Sequence, residues 1–175
     1  MVYFYILIQA LVLIAFLSFL YYSVRGWLKF APWVPTSRKD YQRILRLADL
    51  KPGEKFYDLG SGSGSLALWL SRNTRGEIIG LESSWPLYIF SRLRSGRKVK
   101  FKCINLYKED LSKADVVYFF GTPRPINSLL KAKLERELKP GAKIISYAFK
   151  VQSWILEKKD MSTKNSKPIY FYIKK

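Results

Sequence analysis

The chain has 175 residues, 49% of them hydrophobic, and 31 Lys and Arg against 13 Asp and Glu give a formal net charge of +18; the length suits one globular domain with a short appendage. Histidine is absent, which removes imidazole as a catalytic base and leaves no convincing metal site. The single cysteine, Cys103, excludes an intrachain disulfide and, lying in an apolar run, reads as a buried strand residue in a reducing compartment.

Val2–Tyr22 holds no charge, and Gln9 and Ser18 are its only clearly polar residues. As a helix this stretch would run about 31 Å, the thickness of a bilayer's hydrocarbon core, so it is predicted to be a transmembrane helix. A cleaved signal peptide is the competing reading, but no basic segment precedes the apolar run and no small-x-small site follows it. Tyr3, Tyr5, Tyr21, Tyr22 and Trp27 lie near its two ends, as an interfacial aromatic belt requires. Every charged side chain comes after Val24, beginning with Arg25, Lys29, Arg38 and Lys39. The positive-inside rule then makes this a single-pass membrane protein with its domain on the cytoplasmic side. So basic a domain suits the anionic membrane surface as a partner, and nucleic acid ranks second as an explanation of the charge.

Gly26–Lys39 reads as a connector kept extended by Pro32 and Pro35. Asp40–Leu50 follows as a helix with Tyr41, Ile44, Leu45, Leu47 and Ala48 near helical spacing, stopped by Lys51-Pro52-Gly53. The expected division is residues 1–24 as the span, 25–53 as connector and leading helix, and 54–175 as the main domain. From Glu54 onward strands at Phe56–Leu59, Glu77–Leu81, Val99–Ile104, Asp115–Phe120 and Lys143–Phe149 alternate with helices near Ser65–Asn73, Ser84–Ser95 and Ile126–Leu138. Ser153–Lys158 and Ile169–Ile173, separated by the polar segment Lys159–Lys167, read as a closing hairpin. Repeated βα units predict an α/β fold: a doubly wound, mainly parallel sheet with helices on both faces and a C-terminal antiparallel hairpin.

Asp58 ends the first strand, and Gly60, Gly62 and Gly64 alternate before the next helix, the order that opens a Rossmann-like nucleotide-binding unit. A dinucleotide fingerprint can be framed only on Gly62, Gly64 and Ala67, which leaves Asp58, Gly60 and Ser61 stranded ahead of it. The whole stretch instead resembles motif I of the class I S-adenosylmethionine-dependent methyltransferases. That resemblance implies S-adenosylmethionine as cofactor, with Asp58, Gly60, Ser61, Gly62 and Gly64 beside its methionine and ribose parts. An acid at the strand end suits the ammonium and sulfonium found there and has no use beside a pyrophosphate. In a doubly wound sheet the ligand lies beyond the carboxyl ends of the strands. Glu82, 24 positions after Asp58, is there expected to accept both ribose hydroxyls. After the third strand, Asn105 would read the adenine edge and Leu106 or Tyr107 would cover the ring. The bland alternatives are a solvated helix-cap acid for Glu82, turn chemistry for Asn105 and a structural acid bonding the loop amides for Asp58.

A narrower likeness rests on Ala31-Pro32-Trp33-Val34-Pro35-Thr36, Asp58-Leu59-Gly60-Ser61-Gly62, Phe120-Gly121-Thr122-Pro123 with Leu134-Glu135-Arg136-Glu137-Leu138, and Ser146-x-x-Phe149 with Trp154. Together these resemble the protein-lysine methyltransferases of the ATP synthase c-subunit and the adenine nucleotide translocase. The resemblance implies methyl transfer to a lysine of a membrane-protein substrate, with the segment through Thr36 folding over the cofactor. Such a transfer needs an aromatic slot that holds the amine, and Trp33, Tyr118, Tyr147 and Phe149 are the candidates, with core packing as the alternative role of each. The chain departs from the family at Gly62-Ser63-Gly64-Ser65, where Gly-Asp-Gly-Arg is typical. It also lacks the Asn/Asp-Pro-Pro-aromatic tetrapeptide of base amino-methyltransferases after the fourth strand. Two other readings stand beside lysine: methylation of a lipid or quinone, and a non-catalytic membrane protein that binds the cofactor.

Overall fold

The computed structural model describes residues 1–29, 34–96, 99–163 and 166–175. Seven strands form one sheet: β1 (Lys55–Leu59), β2 (Glu77–Glu82), β3 (Lys100–Cys103), β4 (Val116–Phe119), β5 (Lys143–Tyr147), β6 (Lys158–Asp160) and β7 (Ile169–Ile173). Their spatial order is β3-β2-β1-β4-β5-β7-β6. The first five are parallel neighbours, and β7 enters between β5 and β6, antiparallel to both. The chain runs outward from β1 to β3 and then returns to place β4 on the other side of β1. That reversal opens a crevice at the carboxyl ends of β1 and β4, where such sheets bind ligands.

Side-chain alternation divides the core between the two faces. Phe56, Ile78, Phe101, Tyr118, Ile145 and Tyr147 pack on one face with α2 (Tyr41–Ala48) and α3 (Ser65–Asn73). Tyr57, Leu59, Ile79, Leu81, Val117, Phe119 and Ile144 pack on the other with Ile126, Leu130 and Leu134. The latter three come from one helical run that is α-helical at α5 (Pro123–Pro125), π-helical over Ile126–Leu130 and α-helical again at α6 (Lys131–Glu137). α4 (Trp85–Ser95) joins β2 to β3. Because both faces are covered, the strands carry near-continuous apolar runs, which explains why β7 shows no alternation in its sequence.

Several sequence expectations shift. α1 (Val2–Lys29) continues past the expected end of the span at Tyr22 and takes in the first part of the expected connector. Its stretch Val2–Tyr21 is long and apolar enough to cross a membrane, and no residue of it is buried. Cys103 lies in a strand as expected but is exposed, because β3 is the sheet edge and Phe101 is its one buried side chain. β5 stops at Tyr147, since Ala148 turns into the left-handed region with φ 69°. The first strand of the closing pair is Lys158–Asp160 rather than Ser153–Lys158. Ser153 has φ 65°, incompatible with a strand, and the pairing begins only where Lys158 meets Phe171.

Asp160 belongs in that strand because of Arg43. The buried Arg43 guanidinium donates to Asp160 Oδ1 at 2.5 Å, to the Asp160 carbonyl at 2.6 Å, to Asp40 Oδ1 at 2.7 Å and to the Lys167 carbonyl at 3.2 Å. The Tyr147 hydroxyl donates to the other Asp40 oxygen at 2.6 Å. One side chain on α2 therefore ties together β5, β6 and the connection into β7, and it lowers the Asp160 carboxyl below its ordinary value against the opposing effect of burial. Breaking a buried pair leaves charge uncompensated. Arg43→Ala is expected to cost roughly 3–5 kcal/mol in chemical denaturation of the detergent-solubilised protein; a loss under about 1 kcal/mol, the range of an exposed ion pair, would contradict a structural role for the network.

Candidate active site

The crevice is built by the β1–α3 loop. Gly60, Gly62 and Gly64 all have positive φ (89°, 55° and 74°), a path that side chains with a Cβ resist. Gly64 also permits a close approach, since a Cβ there would lie 2.4 Å from the Phe101 ring. The loop amides are spent inside the protein. Gly60 and Ser61 donate to the Leu81 carbonyl at 2.9 Å, Gly62 to Glu82 Oε2 at 2.8 Å and Gly64 to the Ser61 carbonyl at 2.9 Å. Amides so occupied do not form the outward-facing cradle a pyrophosphate needs.

Glu82 ends β2, buried to 8% exposure, and accepts from Ser84 N at 2.6 Å as well as from Gly62. It is thus the acid that braces the loop, the task the sequence left open for Asp58. Burial raises its pKa, opposed by hydrogen bonds from the Ser84, Gly62 and Ser83 amides. A carboxylate offers about four lone-pair sites, so Glu82 keeps acceptor capacity for further donors.

Asp58 is the opposite case. It is 3% exposed and stands opposite Gly80 of β2 and Tyr118 of β4. Among the described residues its carboxylate has no hydrogen-bond or ion-pair partner. Burial, with the neighbouring Glu82 charge second, pushes it up to about 7. The buried Ser61 hydroxyl is likewise without a partner among the described residues. An unpaired acid at the end of β1 beside a second acid with spare acceptor capacity at the end of β2 suits a ligand bearing a cation and hydroxyl groups. S-adenosylmethionine has both.

The remaining expected cofactor residues divide. The Thr36 hydroxyl and the Tyr118 hydroxyl are 2.6 Å apart, which brings the segment before α2 onto β4, beside Asp58. Asn105 uses its side-chain oxygen to accept from Tyr107 N at 3.1 Å, capping a short 3-10 turn and leaving its NH2 donors available. Leu106 is buried in the core face opposite to Asp58.

Of the expected substrate slot, Trp33 lies outside the described residues. Tyr118 and Tyr147 are buried, with hydroxyls committed to Thr36 and Asp40. Phe149 is half-buried and stacks on Phe120 with ring centroids 6.4 Å apart. Phe120, part of the turn after β4 that carries the family likeness but not one of the expected slot residues, is the hub: it also meets Tyr147 edge-on at 4.9 Å. The Lys167 ammonium lies 5.0 Å from the Phe120 ring centre and 5.7 Å from that of Tyr147. The position of Phe120 directly after β4 was the available signal.

Against known proteins, the family model described as the ANTKMT methyltransferase domain matches residues 58–158. A protein-lysine N-methyltransferase of Saccharolobus islandicus is 31% identical over 135 residues, 70% of this chain and 80% of that one. The human lysine N-methyltransferase of the ATP synthase c-subunit is 30% identical over 128 residues, 70% of this chain and 54% of its own length; the chain thus spans about half of that relative. Among solved structures, an RNA methyltransferase from Salinibacter ruber in complex with S-adenosyl-L-homocysteine superposes with a TM-score of 0.74 at 26% identity, covering 80% of this chain and 93% of the other.

The raised Asp58 pKa has a definite sign in stability. Its ordinary value is 3.8, so between there and about 7 the folded state holds a proton that the unfolded chain has lost, and ligand-free stability falls as pH rises through that window. Asp58→Asn should therefore stabilise the ligand-free protein at pH above 7 by roughly 1–3 kcal/mol, after allowance for a buried amide, with the gain shrinking toward acid. The same variant should bind S-adenosylmethionine more weakly. Thermal denaturation across pH, paired with titration calorimetry, checks both, and a variant less stable than the parent at high pH would contradict the unpaired state of Asp58. Glu82→Ala, by contrast, should lower stability and cofactor affinity together, because it strips the acceptor from the Gly62, Ser83 and Ser84 amides; unchanged affinity would deny it a ligand role.

Proposed function

The chain belongs to the ANTKMT methyltransferase-domain family, and we propose that this member transfers a methyl group from S-adenosylmethionine to the side-chain amine of a lysine in a membrane-associated protein. In this reading α1 is a single-pass anchor, with the domain on the cytoplasmic side because the basic residues follow the span. The observation that carries the choice of lysine is the Lys167 ammonium over Phe120 and Tyr147. At the carboxyl ends of β4 and β5 the protein already holds an alkylammonium on aromatic faces, the recognition a substrate lysine requires. The names of the archaeal and human relatives agree with that substrate class.

S-adenosylmethionine, when bound, supplies an electrophilic methyl group on a sulfonium. The residues of the chain do the rest by position. Asp58 offers its carboxylate to the cationic end of the ligand, and Glu82 offers its remaining acceptor site to the ribose while keeping the loop closed through Gly62. Thr36 on Tyr118 fixes the segment that covers this edge. The Phe120, Tyr147 and Phe149 rings receive the incoming lysine and strip water from it, which lowers its pKa. The amine gives its proton to solvent, and its nitrogen lone pair forms the new bond to carbon as the carbon–sulfur bond breaks. Alignment supplies most of the acceleration in such a transfer, and a histidine base is not needed.

RNA is the second reading, favoured by the basic domain and by the Salinibacter relative. Methyl-labelled cofactor incubated with the full chain and native membranes separates the cases. Label on lysine in the protein fraction is expected; label in the organic extract would point to a lipid or quinone, label in RNA to nucleic acid, and cofactor binding with no transfer to a non-catalytic protein. Phe120→Ala should raise KM for a lysine substrate by roughly fivefold to tenfold, the worth of one cation–π contact, with cofactor affinity unchanged. An unaltered KM would remove the slot from the substrate path.

A further inference from the structure

α4 has its polarity reversed for a helix on a soluble domain. Ser84 just before it, and Ser91 and Ser95 within it, are buried. The two helix serines need nothing from the sheet, since Ser91 Oγ donates to the Tyr88 carbonyl at 2.7 Å and Ser95 Oγ to that of Arg92 at 2.9 Å. Their small size lets the helix lie close to the cofactor loop, where a Cβ on Gly64 would come within 2.9 Å of Ser91 Cβ. On the opposite face the helical period gathers Trp85, Ile89, Phe90 and Leu93. Trp85 is 56% exposed, Phe90 52% and Leu93 82%. Arg92 and Arg94 lie on the two flanks of that stripe. A surface helix ordinarily turns such a stripe inward.

The covering phase is indicated by α1. That helix, exposed along the apolar stretch Val2–Tyr21, touches α4. A helix adjoining a membrane-spanning one, with Trp, Phe and Leu outward and arginines beside them, has the composition of an interfacial helix.

We propose that the outer face of α4 rests in the interfacial layer of the bilayer that α1 crosses, with Trp85, Phe90 and Leu93 among headgroups and upper acyl chains and Arg92 and Arg94 against anionic phosphates. The proposal rests on α1 being a membrane anchor. It gives the domain a fixed attitude, because an anchor alone leaves rotation free and a second contact removes it. It also sets the cofactor loop beside the membrane. Arg94, whose guanidinium lies 5.0 Å from the Phe90 ring centre, donates to the Ser63 carbonyl of that loop at 3.1 Å.

The test uses the full chain in nanodiscs of phosphatidylcholine, with and without phosphatidylglycerol. In a Cys103→Ser background, an environment-sensitive fluorophore is placed at Leu93→Cys or, for comparison, at Lys113→Cys, an exposed position in the turn before β4. S-adenosylmethionine binding by each labelled protein verifies its fold. The expected result is blue-shifted emission at position 93 and quenching there by headgroup spin-labelled lipid, both stronger with phosphatidylglycerol, and neither at position 113. Equal emission and quenching at the two positions, with the chain retained by the discs in high salt, would overturn the α4 contact and leave the anchor standing. Quenching at 93 in low salt followed by release in high salt would overturn the anchor, and with it the proposal, leaving only an electrostatic contact of α4. Release with no prior quenching would overturn both.

Discussion

Two carboxylates buried side by side at the ends of adjacent strands are the constraint on which the rest of this site depends. Like charges in a poorly solvated place cannot both be satisfied by the protein unless amides or cations are brought to them. Here the protein serves only one. Glu82 receives the Gly62 and Ser84 amides, and the β1–α3 loop must follow its tight left-handed path for Gly62 to reach it. Among the described residues Asp58 receives no donor, and burial, with the Glu82 charge second, raises its pKa. The glycines are therefore needed twice, for the turn that delivers an amide to Glu82 and, at Gly64, for the close packing of Phe101 and α4 that buries the pair. A cationic ligand suits this arrangement, since among the described residues Asp58 has no partner of opposite charge.

A second buried charge, on Arg43, does for the substrate end what Glu82 does for the loop. It holds Asp160 and Asp40, and through Asp40 the Tyr147 hydroxyl, so the aromatic slot is set by a rigid polar frame rather than by ring packing alone. The same guanidinium holds the Lys167 carbonyl, which fixes the backbone from which the Lys167 ammonium reaches Phe120.

Features with a short sequence range were legible: the succession of strands and helices, the acid ahead of spaced glycines, the apolar N-terminal run and the acid at the end of β2. Pairings across long intervals were not. The Arg43–Asp160 bond spans 117 positions, and it decides where β6 lies; without it, Ile155 and Leu156 look like better strand residues than Lys159 and Asp160. Leu106 was expected beside an adenine ring and instead faces the other core, because the turn after β3 directs it below the sheet. Phe120 is legible as part of the turn after β4 but not as a member of the ring cluster, because its neighbours there are Tyr147, Phe149 and Lys167, none of them near it in the chain. Tyr118 and Tyr147 were chosen as ring surfaces, yet their hydroxyls are what orders the surroundings of the site.

In the proposed site the buried Asp58, without a partner among the described residues, receives the cation of the cofactor. A proton and that cation then compete for one carboxylate, so binding below the raised pKa of about 7 must expel the proton. Titration calorimetry of S-adenosylmethionine at pH near 6.5, run in two buffers of different ionisation enthalpy, measures that proton directly. Release of a sizeable fraction of one proton per cofactor bound is expected, falling toward zero well above pH 7 and abolished by Asp58→Asn. Binding with no proton release at either pH would mean that Asp58 is already ionised in the ligand-free protein, and the site would have to be explained without it.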